Sequence, residues 1–140
     1  ADVVARENGL TLFYHHHWFE YELAAGRYPY KTMLDCLNPT VKFEVDTYWV
    51  KVGGPEPAAV IRQLGSRAPL LHIKDGPAEN KEQPMVAVGA GVMDWAAVVE
   101  ASQGTAEWFI VELDRCATDM LEAVRKSYDY LTAKGYARGR

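Results

Sequence analysis

The feature of this sequence that most constrains its fold is a fourfold alternation between short apolar runs and stretches with helical spacing. The apolar runs lie near residues 10–15, 41–46, 69–73 and 108–113. Short strands that alternate with helices are typical of βα units, whose strands lie parallel in one sheet. The pattern therefore predicts an α/β fold of four parallel strand–helix units.

The stretches between the strands carry helix signals of their own. Residues 57–64 place apolar side chains on one side of a helix, and Asp94 is a suitable N-cap for a helix over residues 94–101. The longest helix is predicted over residues 117–134, where apolar residues recur at three- and four-residue steps before Gly135.

Four strand–helix units make half of a (β/α)₈ barrel, because a complete barrel takes about 250 residues. We therefore expect residues 1–140 to form a single half-barrel domain. An open four-stranded parallel sheet has two unpaired edges and an uncovered inner face, and both favour association. We expect dimerisation of two half-barrels or a missing N-terminal half to complete the barrel, unless the sheet closes differently.

Composition argues against several classes of function. The formal net charge is −4 and there is no basic stripe, so we expect no nucleic-acid partner. No apolar run approaches the roughly 20 residues of a membrane span, and residues 1–9 lack the layout of a secretory signal. Cys36 and Cys116 are expected to be free thiols. We therefore expect a cytoplasmic protein without a membrane partner.

Acidic and imidazole side chains follow all four predicted strands at their C-terminal ends, where barrels build active sites. The four segments are Tyr14-His15-His16-His17-Trp18-Phe19-Glu20, Glu44-Val45-Asp46, His72-Ile73-Lys74-Asp75 and Glu112-Leu113-Asp114. Converging imidazoles and carboxylates would suit one divalent metal ion, such as Mn²⁺, Co²⁺, Fe²⁺, Zn²⁺ or Mg²⁺.

Two of these segments favour a functional site over a purely structural role. The histidine run could be surface decoration, but it follows an apolar strand and precedes aromatic residues; alternation along the strand would turn His16 away from His15 and His17. Glu112 lies in the apolar run FIVEL, where an unpaired carboxylate is costly, so a ligand or ion-pair role is favoured.

The other segments leave alternatives open. Asp46 could be only a helix cap or turn residue, and Lys74 and Asp75 could simply pair with each other. Tyr48 and Trp49 could belong to the core, or they could wall a sugar pocket, since aromatic faces pack well on carbohydrate rings.

The segments FYHHHWFEY, VKFEVDTYWVKVGGPEPAAVI, RAPLLHIKDG, VGAGVMDWAAVVEA and EWFIVELDR resemble the C-terminal half of the sugar phosphate isomerase/epimerase family, the xylose isomerase-like TIM barrels. The resemblance runs from about Gly9 to Tyr136. It is greatest to the subgroup whose first matching strand ends Tyr-His-Asn-His-Asp-Phe-Glu. It implies a metal-dependent isomerase or epimerase, or a related dehydratase, acting on a sugar or sugar phosphate.

The resemblance also implies which residues hold the metal. The matching positions are His15, Asp46, His72 and Glu112. A carboxylate stands at the position of His15 in the better-known epimerases. A shift by one residue would place Tyr14 there instead, with His17 or Glu20 as the nearer ligand.

The mechanism that the resemblance implies is proton abstraction next to the carbonyl of a keto-sugar or related polyol. Glu112 would take the proton, and His17, Glu20 or a residue of the absent half would return it. Lys74 would neutralise charge on the substrate.

Substrate contacts are expected from Trp18, Trp49 and Tyr48. Trp18 replaces the family's Asp, and Trp49 stands where ketose epimerases often have a substrate-binding His, which argues against a plain epimerase. A truncated, catalytically silent half-barrel that self-associates without turnover is the alternative. A related barrel endonuclease is disfavoured by the acidic charge.

Overall fold

The computed structural model describes residues 1–139. In chain order the helices and strands are α1 (Asp2–Glu7), β1 (Phe13–His15), α2 (Pro29–Cys36), β2 (Lys42–Asp46), α3 (Thr47–Gly53), α4 (Pro57–Leu64), β3 (Leu70–Ile73), α5 (Trp95–Ser102), β4 (Trp108–Val111) and α6 (Met120–Ala133). Single 3₁₀ turns lie at Phe19–Tyr21 and Gly65–Arg67. Each strand lies inside the range expected from the sequence.

The four strands form one sheet in the order β1-β2-β3-β4, and every neighbouring pair is parallel. Because crossovers between parallel strands share one hand, strands added in sequence order keep their connecting helices on a single face. The predicted set of four parallel strand–helix units is confirmed, and its order is that of half a (β/α)₈ barrel. Completion by dimerisation stays a prediction.

The two faces of the sheet differ in burial, as a half-barrel requires. On β2, Phe43 and Val45 point to the outer face, where helices cover them completely. Lys42 and Glu44 alternate with them and lie half-buried on the inner face. The hydrophobic core therefore lies between the sheet and its helices, and the inner face is open.

Local sequence signals explain where the helices begin. Asp94 caps α5 by accepting a hydrogen bond from the Ala97 N–H at 3.0 Å, as the sequence predicts. α6 begins three residues later than expected because Asp119 supplies its cap, accepting from the Glu122 N–H at 2.8 Å. α3 was not expected as a helix, and Asp46 caps it.

The long connection from β3 to α5 is held by one buried carboxylate. Asp75 accepts hydrogen bonds from the backbone N–H groups of Gly76, Gly89 and Met93 and from Trp95 Nε1, at 2.8 to 3.2 Å. The expectation that Asp75 could pair with Lys74 is wrong, because all of these donors belong to the loop and α5. The loop is thereby fixed at the C-terminal edge of the sheet.

The β4 side of the molecule exposes apolar surface. Trp108 is 45% exposed, and α6 exposes a second apolar stripe away from the core, made of Met120, Leu121, Val124 and Tyr128. A cavity of about 540 Å³ lies between β4 and α6. Within residues 1–139 no helix is long and apolar enough to cross a membrane.

Candidate metal centre

Four side chains from the ends of the four strands converge on one space. His15 ends β1, Asp46 ends β2, His72 lies in β3, and Glu112 follows β4. Each offers one nitrogen or oxygen atom, and these four atoms all lie within 4.8 Å of one another. They are the four positions that the resemblance nominated. The parallel register brings them together, since it sets Asp46 opposite His72.

The chemistry of these atoms fits a divalent cation. His15 Nε2, Asp46 Oδ2, His72 Nδ1 and Glu112 Oε2 are all buried without a well-formed hydrogen bond. The contacts that these atoms do make are ion pairs with one another and, for the two carboxylate oxygens, with Lys74. One cation could coordinate all four. Two imidazole nitrogens with two carboxylate oxygens suit Zn²⁺, Co²⁺, Fe²⁺ or Mn²⁺.

Asp46 is fully buried and uses its two oxygens differently. Oδ1 accepts the Trp49 N–H at 3.0 Å, while Oδ2 lies 3.5 Å from His15 Nε2 and 2.9 Å from Lys74 Nζ. Burial opposes ionisation, but hydrogen bonds from His15 and His72 and the charge of Lys74 outweigh it and lower the pKa of Asp46. Asp46 is therefore a helix cap and an ionised member of the cluster at once.

His72 lies between two carboxylates. Its Nδ1 is 2.6 Å from Glu112 Oε2, and its Nε2 is 3.0 Å from Glu44 Oε1. Burial alone would lower the pKa of His72, but a hydrogen bond with Asp46 and the charges of Glu112, Glu44 and Asp46 raise it. A cation bound through Nδ1 would therefore compete with a proton.

Lys74 is the buried counter-charge of the cluster. Its Nζ lies 2.9 Å from Asp46 Oδ2, 2.8 Å from Glu112 Oε2 and 2.6 Å from Asp114 Oδ2. Burial alone would lower the pKa of Lys74, but the charge of Asp46 and hydrogen bonds with Asp114, Glu112 and Asp46 raise it. Lys74 is thus a fixed ammonium group and not a proton acceptor at neutral pH.

Of the residues that follow β1, His17 lies beside the cluster of ligand atoms, whereas Glu20 has a structural role. The His17 ring stacks on His15, with ring centroids 4.7 Å apart. Glu20 is buried away from the cluster, where it accepts the Tyr14 hydroxyl at 2.6 Å and the His17 N–H at 2.7 Å. Burial, together with the hydrogen bond to and charge of Glu20, raises the pKa of Tyr14 to about 12. The Tyr14 hydroxyl is therefore held by Glu20. The alternative alignment, shifted by one residue so that Tyr14 replaces His15 as a metal ligand, is not observed.

The aromatic residues expected to contact substrate are mostly core. Tyr48 is fully buried, and its hydroxyl accepts the Ala78 N–H at 3.1 Å. Trp49 is also buried, and Lys74 Nζ lies 5.3 Å from its ring centroid. Trp18 packs edge-on against Trp49 and is half-exposed, with Lys81 Nζ 5.0 Å from its centroid. Among the three, Trp18 is the one that faces the outside.

Sequence reasoning missed two members of this network, Glu44 and Asp114, as site residues. Both stand two residues from a predicted ligand on the same chain, Glu44 before Asp46 and Asp114 after Glu112. Because side chains of a strand repeat their direction every two residues, this spacing was the available signal.

Comparison with models of known protein families gives no match, and comparison with curated proteins gives none either. Solved structures do match. A sugar phosphate isomerase/epimerase from Parabacteroides distasonis superposes with a TM-score of 0.83 at 24% identity, over 98% of this chain and 50% of that one. A second such structure from the same organism gives a TM-score of 0.81 at 23% identity, over 98% and 51%.

A xylose isomerase domain protein from Planctomyces limnophilus gives a TM-score of 0.68 at 16% identity, over 94% of this chain and 47% of that one. The chain thus spans about half the length of the solved structures that it matches. At these identities the likeness shows the fold, and it confirms the predicted half of a TIM barrel.

Proposed function

We propose that this chain is half of a metal-dependent isomerase or epimerase barrel that acts on a sugar or sugar phosphate. The reaction would be proton abstraction next to the carbonyl of a keto-sugar or related polyol. The observation that carries the proposal is the convergence of four buried ligand atoms from four successive strands. The names of the matched structures support the substrate class.

One divalent cation would be held by His15, Asp46, His72 and Glu112. When bound, it would act as a Lewis acid toward the carbonyl and adjacent hydroxyl oxygens of the sugar. Mg²⁺ prefers oxygen ligands and fits a half-imidazole set less well than Mn²⁺, Co²⁺, Fe²⁺ or Zn²⁺.

Glu112 is our candidate for the residue that takes the proton. Its side chain is 39% exposed, whereas the other carboxylate of the set, Asp46, is completely buried. Lys74 Nζ lies within 2.9 Å of both carboxylates, and the acceptor in such a step is a carboxylate oxygen. Lys74 already contacts three carboxylates. We therefore assign it a supporting role in the cluster and not a direct contact with the substrate.

His17 is our candidate for the second acid/base, because its half-buried ring lies against His15 at the edge of the cluster. Glu20 is set aside for this role, since both of its oxygens are already engaged. Trp18 would form part of the wall against which the sugar packs.

The barrel would be completed by a second copy of the chain or by an N-terminal half-barrel. A two-fold axis along the barrel would set β4 of one copy beside β1 of the other, twice, and would keep all eight strands parallel. We favour the homodimer as the simplest assembly. The proposed setting is the cytoplasm, where the free thiols of Cys36 and Cys116 would stay reduced.

A catalytically silent half-barrel is the second candidate, and the position of Lys74 favours it. Its ammonium group already lies within 2.9 Å of Asp46, Glu112 and Asp114. Lys74 therefore already neutralises part of the negative charge of the cluster. The fold does not need a bound cation for all of its counter-charge.

Solution mass, metal analysis and proton exchange together test the proposal. We expect a dimer that retains about one divalent cation per chain and exchanges the α-proton of one member of a ketose and ketose phosphate panel with D₂O, followed by NMR. Asp46→Asn should abolish metal retention and exchange, and Glu107→Gln, which removes one charge far from the cluster, should change neither. A chain that retains no metal and exchanges no proton would support the silent half-barrel.

A further inference from the structure

We propose that Glu44 is a positioning residue of the metal centre, which accepts the Nε2–H of His72 and so directs Nδ1 of the same ring toward the cation. This inference rests on the proposed metal centre. It adds to that centre a residue that is not one of the four ligands, and it specifies which nitrogen of His72 binds.

The geometry follows from the sheet. Glu44 and Asp46 are two residues apart on β2, so both side chains point to the inner face. His72 is opposite Asp46 in the register, and its ring extends between the two carboxylates. Glu44 Oε1 lies 3.0 Å from Nε2, while Asp46 Oδ2 and Glu112 Oε2 lie 3.8 Å and 2.6 Å from Nδ1.

The imidazole ring separates Glu44 from the space that the ligand atoms share. Glu44 is absent from the group of four residues whose atoms converge, although it is an acid beside one of them. Within residues 1–139, the ion pair found for its carboxylate is the one with His72. Its position therefore suits the orientation of a ligand and not direct coordination.

The chemistry of a histidine ligand requires such a partner. A neutral imidazole carries one proton, and the nitrogen that binds a cation must be the other one. A carboxylate at Nε2 fixes the proton there, and it also opposes rotation of the ring by 180°, which would turn carbon atoms toward both acceptors. Loss of such an outer partner typically weakens metal binding by about 10- to 100-fold.

The test uses Co²⁺ and Zn²⁺ as probes on the whole chain. Co²⁺ affinity is measured by absorbance titration against a competing chelator for the wild type, Glu44→Met, Glu44→Gln and the charge-matched control Glu107→Gln. We expect Glu44→Met to weaken Co²⁺ binding about 10- to 100-fold. Glu44→Gln should lose less because its amide oxygen still accepts, and Glu107→Gln should bind as the wild type does.

A second readout needs no substitution. In the ¹⁵N NMR spectrum of the Zn²⁺-loaded wild type, His72 should carry its proton on Nε2 and its metal on Nδ1. Unchanged Co²⁺ affinity in both Glu44 variants, or a proton on Nδ1, would overturn the role of Glu44 alone. Failure of the wild type to bind either ion would overturn the metal centre as well, so the two failures are distinguishable.

Discussion

Asp46 caps α3 with one oxygen and faces His15, His72 and Lys74 with the other. The two tasks can be separated by substitution, because asparagine caps a helix as well as aspartate does, whereas alanine does not. Asp46→Asn would therefore keep the cap and lose the ionised ligand. Asp46→Ala would lose both.

We expect Asp46→Ala to be less stable than Asp46→Asn by about 1 kcal/mol, the usual worth of an N-cap. Both variants should fail to bind Co²⁺. Urea denaturation measures the difference in the free energy of unfolding, and absorbance titration measures binding. Equal stability of the two variants would mean that the hydrogen bond from the Trp49 N–H to residue 46 does not stabilise the fold.

His16 gives a pH dependence that is separate from metal binding. It faces away from His15 and His17, is fully buried, and stacks on Phe43 with centroids 4.9 Å apart. Burial, followed by the charges of His15 and His17, lowers its pKa from 6.5 to about 3. Below pH 6.5 His16 therefore binds a proton in the unfolded chain but not in the folded chain. The free energy of unfolding falls as the pH falls from 6.5 toward 3.

We expect His16→Phe to remove this loss. Neither nitrogen of His16 has a hydrogen-bond partner within residues 1–139, so phenylalanine gives up no polar contact there. The wild type should lose about 1.4 kcal/mol per pH unit relative to the variant between pH 6 and pH 4, and nothing above pH 7. Chemical denaturation across this range measures both curves. If the free energies of unfolding of the two proteins changed with pH in parallel, His16 would take up its proton in the folded chain as readily as in the unfolded chain.

The segments that carry the ligands could be predicted from the sequence because each places ionisable residues at the end of an apolar run, where an uncompensated charge is expensive. The resemblance then nominated one residue in each segment. Glu20 also follows such a run, but its carboxylate turns back to Tyr14 and to the chain itself. Local hydrogen bonds of this kind depend on how the loop folds, and spacing does not record them.

At the scale of elements, the β3–α5 loop depends on Asp75, whose two oxygens accept four N–H donors. Asp75→Asn would present an amide NH₂ to some of these donors and leave them unpaired, at about 1–3 kcal/mol for each buried group. We expect a loss of at least about 3 kcal/mol in the free energy of unfolding.

Asp94→Asn is the matched control, since it changes an aspartate nearby in the sequence whose side chain accepts the Ala97 N–H as the cap of α5. Its stability should stay within about 0.5 kcal/mol of the wild type. Hydrogen exchange should show residues 76–93 opening faster in Asp75→Asn and not in the control. If the loop exchanges equally in both, its order comes from other contacts, such as that between Ala78 and Tyr48.

Strands and long helices were predictable because their apolar periodicity is strong, but α3 was not. Its sequence, TYWVKVG, is rich in aromatic and β-branched residues that favour strands. The Asp46 cap and the burial of Tyr48 and Val50 override this propensity. Residues 47–53 therefore form a helix for tertiary reasons that a local pattern does not contain.

At the scale of the whole molecule, the second apolar stripe of α6 is the surface that most needs a partner. The helix already buries Ala123, Ser127 and Leu131, and Ser127 Oγ accepts the Val88 N–H of the β3–α5 loop, so one face of α6 is already packed. The stripe of Met120, Leu121, Val124 and Tyr128 adjoins the cavity beside β4 and the exposed Trp108. In the proposed dimer this side would meet β1 and α1 of the second copy, and α1 also exposes Val3 and Val4.

Leu121 provides the sharpest test, because it is 81% exposed and its loss costs the isolated chain little. Burying a leucine contributes about 1.5–3 kcal/mol, which corresponds to about a 10- to 100-fold change in Kd for the dimer. We therefore expect Leu121→Glu to weaken self-association by at least about 10-fold in analytical ultracentrifugation. Gln103→Glu, which adds the same charge to the exposed end of α5, should leave it unchanged. A wild-type chain that stays monomeric at tens of micromolar would reject the homodimer and leave an N-terminal half-barrel as the partner for this surface.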